Sequence, residues 1–287
     1  AVFYRINSMS REIETVLSRV GIPYVVIGGQ SFYDRKEIRD ALAMLKILHN
    51  PNDAIAFSRC AGLFEGIGHK TVHDIETMAQ QESISIIEAC RSVEKLSNRK
   101  TVIKGAKKFA NVFGFDTEGK GPGECLDTIL NAFDYDNHLQ RKASDIREYE
   151  TRRDNIAELV MSANTFENES GKDISKYLQN LALVAASDKD SEETSVSLMT
   201  VHAAKGLEFP IVFVVGVEDA LMPHARGIEE AGGDKVKEQE AVEEERRVCY
   251  VAMTRAKKHL HMSYCLSRPR SRGRNVQSVP SRPSRFL

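Results

Sequence analysis

The chain has 287 residues, 41% hydrophobic and 28% charged, ordinary proportions for a folded globular protein with room for about two domains. Forty lysines and arginines stand against 41 acids, so a net charge of −1 gives no bulk basic signal for a nucleic-acid partner. Five cysteines without a C-x-x-C pair exclude a disulfide framework and a zinc ribbon and fit a reducing cytosol, and the longest apolar run, Ile211–Val217, is far too short to span a bilayer.

The chain opens at Ala1 inside a strand-like stretch, with neither an initiator Met nor a signal peptide, and reads as a piece of a longer protein. Ala1–Tyr4 is short and apolar. A helix follows, capped by Ser8 or Ser10, with Ile13, Val16, Leu17 and Val20 at helical spacing. Gly21 stops it and Pro23 follows. Tyr24–Ile27 is β-branched and ends at Gly28-Gly29, completing a β-α-β unit of the kind found in parallel sheets.

From about Ser31 to Ala186 the pattern is helical. Ile38, Ala41, Leu42, Leu45 and Leu48 form one apolar stripe, and similar stripes recur at 72–79, 84–90, 102–112, 126–133, 156–160 and 174–186. Gly119–Gly123 reads as a loop. Ser187–Ser195 is polar and acidic, a linker by composition. The α/β pattern then returns. Val196–His202 reads as a strand, Ile211–Val217 as a buried strand, Ala225–Ala241 as a mobile surface loop, Val242–Lys257 as a long helix and Leu260–Cys265 as a last strand. The tail from Arg268 carries six arginines and no acid, and reads as a disordered or surface-tracking arm. The expected fold class is therefore α/β: a discontinuous parallel-sheet domain from 1–31 and 197–287, interrupted by an all-helical insertion over 32–196.

Two stretches carry chemistry. The first, MTVHAAKGLEF at Met199–Phe209, ends a strand at His202 and continues into a loop with Lys205, Gly206 and Glu208. That places polar groups at the carboxyl edge of a sheet, where open α/β folds bind ligands. A tight turn with a Lys–Glu pair is the plain alternative, and composition alone does not separate the two. The second is EEERRVCYVAMTRA at Glu243–Ala256. On a helix, Arg247, Tyr250 and Thr254 share one side, Glu244 and Glu245 can pair with neighbouring cations, and Arg255 near the helix end is free to reach outward. Such an arginine, planar and always charged, suits a phosphate held by another domain. Taken alone, EEERR would read as an ordinary charged helix face.

Together the two stretches resemble motifs V and VI of the UvrD/PcrA/Rep family of superfamily 1A DNA helicases. Motif V here is MTVHAAKGLEFPIVFVVGVEDALMPH, residues 199–224. YRINSMSREIE at Tyr4–Glu14, YVVIGGQSFYDRKEIRD at Tyr24–Asp40, RRDNIAEL at Arg152–Leu159 and PSRF at Pro283–Phe286 fit the same family in the same order. The resemblance covers essentially the whole chain.

The resemblance implies two RecA-like domains, 1A and 2A, with ATP in the cleft between them, and insertions 1B and 2B. This chain would be most of 2A wrapped around 2B, from an ATP-dependent 3′→5′ helicase that moves on single-stranded DNA and unwinds duplex, in DNA repair. The phosphate-cradling GxxxxGK[ST] is not in this sequence. ATP and Mg²⁺ would be held mainly by 1A, with neither expected in this piece, which should be inactive alone. By position, Arg255 resembles the family's γ-phosphate arginine finger, Glu208 the residue that reads the bound nucleotide, and Gly206 the turn beneath it. His202 would couple nucleotide state to the DNA track, and Arg5, Asn7 and His224 would contact single-stranded DNA. Either histidine alone would more plainly be a satisfied structural residue. In the helical insertion, Gly66, Gly68, Lys70 and Thr71 resemble a hairpin that holds a duplex phosphate on exposed backbone N–H groups. Glu65 departs from the basic residue usual before that turn, and Ser271 and Arg272 stand where relatives often place an aromatic. The implied partners are single-stranded DNA, single-strand/duplex junctions, the 1A and 1B domains of the same protein and repair proteins. No membrane partner is implied, and the implied location is the bacterial cytoplasm, on the nucleoid. A non-catalytic DNA-binding or docking module derived from a helicase, or part of a RecB/AddA-type helicase–nuclease, are the alternative readings.

Overall fold

A computed structural model describes residues 1–186, 195–272 and 275–287. The chain divides into two compact units, Lys36–Leu181 and the combination of Ala1–Arg35 with Ala182–Leu287.

The α/β unit starts with β1 (Val2–Tyr4), α1 (Ser10–Arg19) and β2 (Tyr24–Val26). No serine caps α1. The chain enters it through a 3-10 turn at Asn7–Met9, and Ser10 is buried, its Oγ accepting from Nη2 of Arg35 at 2.9 Å. Gly21 ends the helix with φ +70°, a conformation that costs glycine little.

The helical unit follows as α2 (Lys36–His49), α3 (Ala54–Ala61), α4 (His69–Glu82), α5 (Ile86–Arg91), α6 (Lys100–Val112), α7 (Pro122–Phe133), α8 (Tyr135–Lys142), α9 (Ile146–Ser170) and α10 (Ile174–Ala186). The apolar stripes fall on these helices. The short α3 and α8 have no long stripe of their own. Asp53 starts α3 by accepting from the Ala56 N–H at 2.9 Å. Aromatic rings fill the core, with Phe64 lying 5.1 Å from Phe109 and 5.0 Å from Phe133 between ring centres. Beside them sits a buried polar network. Asp40 pairs with Arg59 at 2.7 Å and accepts from the Tyr135 hydroxyl at 3.3 Å, and Asn155 donates to Glu37 at 2.6 Å.

After the expected linker, whose residues 187–194 lie outside the described ones, come β3 (Val196–Thr200), β4 (Phe209–Val215), α11 (Ala225–Glu229), α12 (Lys235–Met253), β5 (Ala256–Ser263), β6 (Ser267–Arg272) and β7 (Asn275–Pro280). β1 to β5 form one sheet in the order β2-β3-β1-β4-β5, with every pairing parallel. α12 packs Val248, Cys249 and Ala252 with Phe3, Met199, Val212 and Val214 in one core cluster. Ile13 and Leu17 of α1 pack against a second cluster of Tyr4, Tyr24 and Leu198. Among them, fully buried Phe3, Met199, Val212, Val214 and Leu198 contribute about 1.5–3 kcal/mol each.

Further expectations need correction: the helix expected to reach Lys257 stops at Met253, and the strand expected at 260–265 is β5, Ala256–Ser263, with β6 and β7 after it. β3 ends at Thr200, not His202, because Thr200 Oγ1 and its carbonyl take the N–H groups of Ala203 (3.2 Å) and Ala204 (3.2 Å) and bend the chain into a turn. β4 is not buried on both faces: Val212 and Val214 are covered, but Ile211 and Phe213 are 43% and 44% exposed. Phe213 instead stacks on His261 of β5 at 4.6 Å. The expected mobile loop at 225–241 contains α11 and the first turns of α12. Asp234 caps α12 by accepting from the N–H groups of Val236 and Lys237, and its Lys- and Glu-rich sequence favours helix. The tail is not a disordered arm, because β6 and β7 pair as an antiparallel hairpin. Its anchor is Glu218, a buried carboxylate that accepts from Arg268 Nε (2.6 Å), Arg268 Nη2 (2.9 Å), the Cys265 N–H (2.8 Å) and the Ser281 hydroxyl (2.7 Å). Beyond the hairpin, Arg285 pairs with Asp219 at 3.1 Å.

Candidate functional site

Two groups of candidate residues occupy opposite ends of the parallel sheet. Arg5 directly follows β1 and His202 follows β3, so both lie at the carboxyl edge. His224 comes in from the loop after β4. Glu208 and Arg255 immediately precede β4 and β5 and lie at the amino end. The expectation that His202 and Glu208 share one edge is therefore corrected, because the turn at 201–206 carries the chain back along the sheet before β4 begins. Phe209 lies six residues before Val215, so the two ends of β4 are about 20 Å apart. α12 leaves the carboxyl edge after β4 and returns to the amino end before β5, so it runs alongside both groups.

At the amino end, the Phe209 N–H donates to the Arg255 carbonyl at 2.9 Å. The Arg255 guanidinium donates from Nη1 to the Leu207 carbonyl (3.4 Å), from Nε to the Val251 carbonyl (3.1 Å) and from Nη2 to the Thr254 hydroxyl (3.0 Å). It is tethered rather than free, but all three acceptors are neutral, and among the described residues no carboxylate pairs with it. A phosphate oxygen, offering a charge-assisted bond about twice as strong, can displace such partners. Glu208 is exposed and lies 3.6 Å from Lys257. Gly206 holds φ +86° with open space where a side chain would stand. That backbone explains the glycine by itself.

At the carboxyl edge, Arg5 is not a bare phosphate ligand. Its Nε and Nη2 grip Glu245 of α12 at 2.9 and 2.5 Å, with side-chain exposures of 18% for Arg5 and 9% for Glu245. Glu245 also accepts from the backbone N–H of His224 at 3.1 Å. Burial alone would raise the Glu245 carboxyl's pKa, but the Arg5 bonds and charge and the His224 N–H outweigh it, so the group stays below the ordinary glutamate range. His202 faces the same pair. Partial burial first, then the Arg5 charge, hold its pKa below the usual histidine value against the opposing pull of Glu245 and Glu244. Asn7 is exposed in the 3-10 turn, its carbonyl accepting from Arg35 at 3.1 Å. Glu244 pairs instead with Arg247 at 2.7 Å on the exposed side of α12.

Sequence reasoning missed that Glu245, alone among its three consecutive acids, is the buried one. A signal was present: Val248, Cys249 and Ala252 follow at i+3, i+4 and i+7, which places Glu245 on the apolar stripe.

In the helical unit, Gly66 and Gly68 differ. Gly66 has φ +89°, and a Cβ there would lie 2.3 Å from the Thr101 carbonyl oxygen. A Cβ on Gly105 of α6 would in turn meet the Glu65 carbonyl oxygen at 2.2 Å. The turn is thus pressed against α6, and two glycines permit it. Gly68 has an ordinary backbone, and a Cβ there would meet open space. It begins α4 with no side-chain cap, leaving the first-turn N–H groups of His69, Lys70 and Thr71 without one.

The α/β unit thus carries Arg255 beside the Gly206-Leu207-Glu208 turn at one end of an all-parallel sheet and the Arg5–Glu245 pair at the other. The sequence matches the UvrD-like helicase C-terminal domain over residues 1–267, and the chain belongs to that family. It is 36% identical, over 98% of its length, to the ATP-dependent DNA helicase PcrA of Staphylococcus epidermidis, and 35% identical over the same share to PcrA of Staphylococcus aureus. The chain spans 38% of the length of each.

Among the described residues no helix is long and apolar enough to cross a membrane, and no group of three or more His, Cys, Asp or Glu could hold a metal ion.

Proposed function

We propose that this chain is the C-terminal portion of an ATP-dependent 3′→5′ DNA helicase that moves on single-stranded DNA and unwinds duplex, with a role in DNA repair on the bacterial nucleoid. Residues 1–31 and 197–287 would be the RecA-like domain 2A and 32–196 the insertion 2B, with 1A and 1B supplied by the rest of the protein. The observation that carries this reading is Arg255, a guanidinium with only neutral acceptors at the end of the helix that also holds Arg5. Arg255 would leave its tethers for the γ-phosphate of ATP held on 1A, and Glu208 would report nucleotide occupancy from the turn that Gly206 shapes. When hydrolysis removes that contact, Arg255 would return to Leu207 and Thr254 and release the closed arrangement. Asn7, His202, His224 and the remaining donor of Arg5 would line the track for one DNA strand.

The turn at Gly66–Thr71 would hold a duplex phosphate on its open N–H groups, with Lys70 adding charge. Gly68 supports this, since nothing internal demands a glycine there. The carboxylate of Glu65 beside the turn would weaken the contact.

The test is ATP hydrolysis by the full-length helicase and by the 287-residue chain, each with and without single-stranded DNA. DNA-stimulated turnover in the former and none in the latter is expected. Turnover by the 287-residue chain, or no DNA stimulation in the full-length protein, would reject the proposal.

A further inference from the structure

Glu245 combines three properties that a surface acid on a charged helix lacks. It is buried, it binds Arg5 with both oxygens, and it takes the His224 backbone N–H as a third donor. A carboxylate with that many partners fixes all of them, because moving any one leaves a buried charge short of hydrogen bonds. Its partners arrive from two separate segments, the end of β1 and the loop after β4, and His202 in the turn after β3 lies in the same field. Ten residues further along the same chain is Arg255, and a helix rising 1.5 Å per residue makes that separation about 15 Å.

We infer that Glu245 is a positioning residue: it clamps Arg5 and the His224 loop to α12, so that the carboxyl-edge DNA contacts move with the helix whose other end carries Arg255. The inference rests on the helicase reading above and deepens it. The shift of α12 that accompanies γ-phosphate capture is passed to the DNA track through one ion pair. Substitution of Glu245 cuts that transmission without touching the nucleotide contact. A merely structural Glu245 would affect stability and both ligands alike.

The experiment measures the affinity of the full-length helicase for a fluorescent oligothymidylate, with and without a non-hydrolysable ATP analogue. In the unsubstituted protein the analogue should change DNA affinity by a factor in the usual range for coupled sites, about 5–150-fold. In Glu245→Gln that factor should fall to within about twofold of one, while affinity for the analogue itself stays within about threefold of the starting value. Arg5→Lys, which keeps the charge but loses the two-pronged geometry, should do the same, and the double variant should lose nothing more. Full retention of the factor in Glu245→Gln, or additive losses in the double variant, would overturn the assignment. Should Glu245→Gln fail to fold, as judged by its thermal melt, Arg5→Lys alone decides by the same criterion. If the unsubstituted protein shows no effect of the analogue on DNA affinity, the helicase reading fails, and the Glu245 assignment falls with it.

Discussion

The two units use buried ion pairs in opposite ways. In the helical unit, Asp40 holds Arg59 and the Tyr135 hydroxyl, and Glu37 holds Asn155, so each pair joins one packed helix to another. In the α/β unit, Glu245 draws in Arg5 and the His224 loop at the rim of a parallel sheet, and its partners belong to segments that end at the surface. The first arrangement staples helices. The second sets the position of groups that face outward. The chemistry is the same, and what separates them is whether the partners lie on packed helices or on segments that end at a sheet edge.

The largest effect that would break this contrast lies at the outward-facing end. Arg255→Ala in the full-length helicase should lower steady-state ATP hydrolysis by about 10³–10⁵, the range for an arginine finger. A loss under tenfold would leave the α/β unit with no more claim to chemistry than the helical one. The staple should answer through stability. Asp40→Ala leaves Arg59 with the Lys36 carbonyl and the Tyr135 hydroxyl with the Glu37 carbonyl as their remaining acceptors, and should cost about 1–3 kcal/mol in chemical denaturation. The paired glycines sharpen the same point. Gly66→Ala, with its φ of +89° and its clash with Thr101, should cost about 2–3 kcal/mol. Gly68→Ala, in open space, should cost only the loss of an N-cap glycine, about 1 kcal/mol or less. If both alanines cost the same, the division between a packing glycine and an open one is wrong.

Acid should act on the α/β unit through Glu218. Burial would raise its carboxyl's pKa, but the bonds from Arg268, the Cys265 N–H and Ser281 lower it overall. A pKa lowered in the folded state gives stability that is complete above the ordinary carboxylate range and is lost as pH falls through the folded-state value. Denaturation followed against pH should therefore show a decline on the acid side that is smaller in Glu218→Gln. An unchanged acid slope in that variant would remove Glu218 as the anchor of the β6–β7 hairpin.

Much of the architecture was legible because it rests on local pattern. The β1-α1-β2 opening, the stripes of the long helices and the apolar β4 follow from spacing, turn residues and β-branching. What stayed hidden depends on partners distant in sequence. The Arg-rich tail has no periodicity of its own and is held by Glu218, which lies 50 residues before Arg268. α12 begins at Lys235 because Asp234 caps it, but the preceding Gly232-Gly233 reads as loop. In the site, the residue types were legible and their arrangement was not. His202 and Glu208 are six apart in sequence and lie at opposite ends of the sheet, since nothing in the turn's composition says which way it runs. Arg5 entered through the resemblance as a single-stranded DNA contact, and its pairing with a buried carboxylate 240 residues away has no local signal.

The most direct test of the claim that α12 joins a nucleotide contact to a DNA track is made from the nucleotide end. It is the single-stranded DNA affinity of full-length Arg255→Ala with and without the non-hydrolysable ATP analogue. Equal affinities in the two conditions are expected. A shift as large as that of the unsubstituted protein would contradict the claim.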